Sequence, residues 1–177
     1  EEGVEVADIF ETFNEVWADS TESRVEVVRL FGPSEATRTQ VLRHLLLRSY
    51  DVLHYAGHCM YDEDDPARQG WVFSIADPPD LLSPHELNRI DRIPKFVFSN
   101  ACESGVTPDR SEERTVGLAP GFAEAFFQRG VANFVCTAWP VDDGAARSLA
   151  LKLYSSLLGL EDDPERPGRY RQARPRP

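Results

Sequence analysis

Cysteine is scarce: Cys59, Cys102 and Cys136 are the three in 177 residues. An odd number, in a chain without a secretory signal, argues against a disulfide framework and for a reducing, cytoplasmic setting. Long apolar runs are missing as well. The most apolar helical stretch, Leu149 to Leu160, is interrupted by Lys152, Ser155 and Ser156, so no membrane span is expected. Basic charge is in deficit, with 19 Lys and Arg against 30 Asp and Glu and a net charge of -11. Such a surface repels phosphate backbones and makes nucleic acid an unexpected partner. No GxGxxG or phosphate-loop pattern is present, and Gly32-Pro33-Ser34 is too poor in glycine to replace one. No CxxC pair occurs, and the acidic loop Asp62–Asp65 lacks the spacing of an EF-hand. Neither a metal nor an organic cofactor is expected. The chain opens at Glu1 with no Met or targeting pattern, as an excised fragment would, so flanking domains are expected.

What is present fits one domain of ordinary size. Val6, Ile9, Phe10, Phe13 and Trp17 recur at helical spacing, which predicts a leading helix within residues 1–20. Arg24–Phe31 reads as a strand, and Ser34 as the cap of a helix running to about Arg48. Tyr50–Gly57 reads as a second strand and Trp71–Ile75 as a short one. Ser83-Pro84-His85-Glu86 carries a capping box with Pro at the first helical position. Lys95–Ser99 is a buried strand. Gly117–Arg129 reads as a helix closed by Gly130, Val131–Ala138 as a strand, and Asp142 or Asp143 as the cap of a last helix ending at Gly159. Strands alternating with helices predict an α/β fold with a mostly parallel central sheet and helices on both faces. Residues 161–177, rich in Pro and Arg, read as a disordered tail.

In open α/β sheets functional groups collect beyond the carboxyl ends of the strands. Two strands here end in reactive side chains: YDVLHYAG runs into His58, and KFVFSNA into Cys102. If the strands are parallel, both groups reach the same edge. An imidazole beside a thiol lowers the thiol pKa and supplies the thiolate that attacks a carbonyl. The backbone N–H groups of Cys59 and Cys102 are the natural oxyanion donors. Trp139, Asp142 and Asp143 follow the last strand and are candidates for a substrate pocket; for the aspartates, helix capping is the competing role. A cysteine at a strand end is also commonly a small buried hydrophobe, so spacing alone leaves the chemistry open.

DVLHYAGH followed by FSNACESG resembles the CHAT family of caspase-like domains, often found beside helical repeats. GLAPGFAEAFFQRGVANFVCTAWPVDD and LYSSLLGL are similar to its closing elements, so the likeness spans about Arg24 to Leu160. The resemblance implies a caspase-like three-layer sandwich over residues 1–160. It also implies a cysteine endopeptidase with a His–Cys dyad, which falls on His58 and Cys102 and acts on protein or peptide substrates. Regulatory helical-repeat or sensor domains outside the fragment are implied by the same likeness. One departure stands out: the family usually has Gly directly after the catalytic His, and this chain has Cys59. A positive φ there would strain a side chain. The competing expectation is a non-catalytic module that binds extended peptides without cutting them.

Overall fold

The computed structural model describes residues 2–18, 24–60, 68–76, 78–101, 122–137, 141–166 and 168–173. The elements run, in chain order, α1 (Glu2–Val16), α2 (Gly32–Glu35), α3 (Arg38–Leu47), β1 (Val52–Ala56), β2 (His58–Met60), β3 (Gly70–Ser74) and β4 (Asp80–Leu82). They continue with α4 (Pro84–Leu87), β5 (Phe96–Asn100), α5 (Phe122–Gln128), β6 (Asn133–Cys136), α6 (Asp143–Leu157), β7 (Leu160–Asp162) and β8 (Tyr170–Gln172). The chain divides into two compact units. One is Leu30–Val141, and the other joins Glu1–Arg29 to Asp142–Pro177.

The unit Leu30–Val141 holds a parallel sheet in the order β1-β5-β6 and an antiparallel sheet in the order β2-β3-β4. The mixed α/β class and the parallel sheet are as expected. The antiparallel sheet was only glimpsed in the sequence, as the single strand at Trp71. Its core gathers Leu45, Leu82, Leu87, Ile90, Val97 and Phe126 around Trp71, which is 0% exposed. The Trp71 ring stacks on Tyr55 at 4.3 Å, with Phe122 and Phe126 at 5.3 and 5.4 Å. Its indole N–H donates to Ser99 Oγ at 2.8 Å, which satisfies the one polar atom of the side chain and ties β3 to β5.

Local signals behave unevenly. The capping box at Ser83 and Glu86 forms as expected. Arg38 joins it by pairing with Glu86 and with Asp80 at 2.5 Å, which fastens α3 to the start of α4. Gly130 and Gly159 adopt positive φ just past α5 and α6. The expected cap Ser34, in contrast, lies inside the single turn α2. The longer helix starts afresh at Thr37, whose side chain accepts from the Gln40 N–H at 3.3 Å.

The unit built from both chain ends pairs α1 with α6 around Val6, Ile9, Ala150 and Tyr154. Arg147 grips both carboxylate oxygens of Glu5, and this bond holds the Glu5 carboxyl below its ordinary range. Two expectations need correction here. Residues 24–31 join no ladder. Side chains of α1 take the ladder's place: the Asn14 amide donates to and accepts from the Val25 backbone, both at 2.8 Å. Arg29 meets Asp8 at 3.1 Å and Glu11 at 2.5 Å. The segment expected to be a disordered tail instead carries the hairpin β7–β8, packed on α6 and α1. Its register sets Glu161 opposite Arg171, an ion pair at 2.9 Å, and Gly168 turns the corner with φ of 78°.

Burial pushes the phenols of Tyr55 and Tyr154 well above the ordinary tyrosine value. A raised folded-state pKa leaves this contribution to stability intact below the unfolded phenol pKa of about 10 and removes it as pH climbs further. Thermal melts are therefore expected to hold steady from pH 8 to about 9.5 and to fall steeply above it. Replacing both tyrosines by Phe should flatten that alkaline limb, and a limb that keeps its slope would refute the assignment.

Candidate active site

The site grows from the parallel pair β1 and β5. Their register runs from Val52 against Phe96 to Ala56 against Asn100, so both strands end side by side. One residue further, the Gly57 N–H donates to the Asn100 carbonyl at 3.2 Å and prolongs the pairing to the turn. His58 comes next as the first residue of β2 and is exposed. On the other strand the described chain continues to Ala101, which is buried. The Thr137 hydroxyl, just past β6, donates to the Ala101 carbonyl at 3.0 Å and holds that end of β5.

The turn at Gly57 is shaped by Tyr55. The phenol folds back so far that a Cβ on Gly57 would lie 2.6 Å from Tyr55 Oη and 2.8 Å from its Cζ, so only glycine fits. The Tyr55 hydroxyl is shared between the His58 and Val72 carbonyls, each at 2.9 Å. The phenol is protonated at neutral pH, and because burial raises its pKa it keeps donating into the alkaline range. Tyr55 thus sets the corner between β1 and β2 against β3, with its own ring braced by Trp71. Neither Tyr55 nor Thr137 was singled out in the sequence. Their roles run through backbone carbonyls, which leave no motif.

Cys59 lies in the middle of β2, opposite Trp71, half-buried against the core with Sγ 3.7 Å from the Met60 carbonyl. A strand residue is extended, and extended backbone suits any L side chain, so the strain considered for this position does not arise. His54 sits at the centre of β1 against Phe98, ring centroids 5.1 Å apart, and belongs to the strand. Cys136 faces Ser99 across β5 and β6, and burial pushes its thiol up, which makes it a poor nucleophile at neutral pH. Among the described residues no cluster of His, Cys, Asp and Glu is placed to hold a metal ion, and no helix is long and apolar enough to cross a membrane.

A family model described as the CHAT domain matches residues 4–169. The chain belongs to the CHAT-domain family. That family is associated with the caspase-like cysteine peptidases. No curated protein and no solved structure was found to match the chain. The CHAT match takes in His58 and Cys102 and also α1 and the turn between β7 and β8, so it reaches past residue 160, the domain end expected from the sequence.

The remaining sequence candidates of this CHAT domain divide cleanly. Cys102 and Trp139 lie outside the described residues. Asp142 caps α6, its Oδ1 accepting from the Ala145 N–H at 3.1 Å, which is the competing role weighed for it. Asp143 is the first residue of α6 and is exposed. The structure therefore brings the backbone at His58 to the end of β5, and supplies Tyr55, Gly57 and Thr137 as the groups that hold this junction.

Proposed function

We propose that this CHAT domain is a cysteine endopeptidase of caspase-like three-layer architecture, with His58 as base and Cys102 as nucleophile. The observation that carries the reading is the register of β1 and β5. His58 stands two residues past Ala56 and Cys102 two residues past Asn100, and those two are direct partners across the parallel pair. Equal offsets from one rung of a parallel ladder support a reading in which both residues lie near the same sheet edge. The exposure of His58 supports the reading too, because a general base must reach substrate and water.

In this reading the Cys102 thiolate attacks the peptide carbonyl and a tetrahedral oxyanion forms. The N–H groups of Cys59 and Cys102 stabilise it. His58, protonated on taking the thiol proton, passes that proton to the departing amine, which leaves a thioester on Cys102. Water, deprotonated by His58, then releases the acid and restores the thiol. No metal or organic cofactor enters any step. A reducing cytoplasm keeps the thiol available, and adjoining repeat or sensor domains control access.

A peptide carrying an electrophilic carbonyl substitute tests this. Incubated with the chain and digested for mass spectrometry, it is expected to label Cys102, with Cys59 and Cys136 unmodified. Cys102→Ala should abolish labelling. Labelling that is no greater in wild type than in Cys102→Ala would leave a peptide-binding module without catalysis.

A further inference from the structure

We infer that the groove running from His58 along β2 and β3 is the subsite for a large apolar side chain on the leaving-group side of the cleaved bond. The placement rests on the dyad reading above; the groove itself rests on strand geometry. It is an open depression of about 450 Å³ lined by His58, Cys59, Met60, Arg68, Val72 and Ile75, among others.

Strand parity explains why these side chains share it. His58 pairs with Val72 across the antiparallel ladder, and paired residues point to one face. Met60, two residues past His58, joins that face. Cys59, between them, pairs with Trp71 and packs partly against the core, while still bordering the groove at its edge. Simple alternation would send Ile75 to the core face along with Trp71 and Phe73. It does not go there, because β3 carries a bulge. Val72 pairs with Leu81 and Ser74 with Asp80, so Phe73 is the extra residue, packed on Tyr55 at 5.7 Å between rings. A bulge shifts the parity of the residues after it and re-aims their side chains. Ile75 consequently lines the same groove as Val72 and is left 90% exposed. An isoleucine held in water by a backbone irregularity, beside an exposed imidazole, is an apolar wall lacking its other half.

Chemistry says what completes it. His58 lies at a junction: β1 before it pairs with β5, and β2, which it begins, pairs with β3. The acyl portion of a substrate belongs at the end of β5. The imidazole must hand its proton to the departing amine, so the residue carrying that amine lies on the other side of His58, over Met60, Val72 and Ile75. Apolar walls with few polar groups favour an aliphatic or aromatic side chain.

Met60 is the single methionine in the sequence, so methyl-labelled methionine reports the groove by one resonance. In Cys102→Ala chain, leucinamide, a free-amine fragment resembling the leaving group, is expected to shift that resonance saturably. Glycinamide and the α-amide of aspartate should leave it in place. Ile75→Glu, a change at an exposed position, should weaken leucinamide by about tenfold or more. No saturable shift, an equal shift with glycinamide, or tighter binding of the aspartate amide at Arg68 would each overturn the apolar subsite. The readout needs no turnover. A failure of the groove is thereby distinct from a failure of the dyad, which the covalent probe reports.

Discussion

Trp71→Ala is expected to destabilise the chain by about 3–5 kcal/mol, the range for deleting a large aromatic from a packed core. The site is unfavourable for relaxation. Tyr55, Phe122 and Phe126 surround the indole on three sides at 4.3 to 5.4 Å, and none is a flexible side chain that could flow into the cavity. The substitution also removes the donor to Ser99 Oγ. Trp71→Phe should cost roughly half as much, since it keeps an aromatic face for Tyr55 while losing the N–H. Urea unfolding followed by circular dichroism measures both. A loss under about 1 kcal/mol for Trp71→Ala would show that the antiparallel sheet does not depend on this residue. The effect should also reach the site: without the indole, the Tyr55 ring loses its brace and the shared hydroxyl that fixes the His58 carbonyl loosens. Under the proposed function, peptide hydrolysis is therefore expected to fall in the fraction of Trp71→Ala molecules that stay folded.

Why Trp71 could not be recognised as central from the sequence is instructive. It stood out as the start of a short apolar strand, and the strand was right. Its partners β2 and β4 have three residues each, too short for alternation to be read. β2 was further concealed because His58, Cys59 and Met60 looked like the exit of a strand, when the chain turns at Gly57 and begins another. The parallel strands β1, β5 and β6 were legible because their runs are mainly apolar, β-branched and aromatic, bounded by Gly, Pro or Asn. Residues 24–31 show the opposite failure. Exposure alternates over residues 24–29, yet the hydrogen bonds of Val25 go to a side chain, Asn14. Alternation reports which side of an extended chain is buried, not what satisfies its backbone. In the tail, composition misled: Pro and Arg suggested disorder, but Glu161 and Arg171 sit across from one another and Tyr170 is half-buried. At the site, the reactive side chains carry the motif, so His58 and Cys102 were visible as candidates. The groups that hold the junction act through carbonyl oxygens of His58, Val72 and Ala101, and such contacts exist only once the strands are paired.

His58→Ala is expected to lower peptide hydrolysis by about 10²–10⁴-fold, the usual weight of a positioned general acid–base. At 1.36 kcal/mol per decade that is about 3–5 kcal/mol of transition-state stabilisation, comparable to the stability lost in Trp71→Ala. The two variants nonetheless differ in kind. The His58 side chain is exposed, and what anchors this residue is its backbone carbonyl, which still accepts from Tyr55 after the imidazole is gone. Unfolding free energy should accordingly change by less than about 0.5 kcal/mol. In the proposed dyad the imidazole of His58 ionises the Cys102 thiol, so alkylation of Cys102 by iodoacetamide near pH 7 should slow as well. Activity lost at unchanged stability is the signature of a group that acts on substrate, whereas Trp71→Ala should lose both. If His58→Ala keeps its hydrolytic rate, the base lies elsewhere. If it loses rate and stability together, His58 is a structural residue of the β1–β2 corner, and the parallel ends of β1 and β5 serve to build that corner, not to join a dyad.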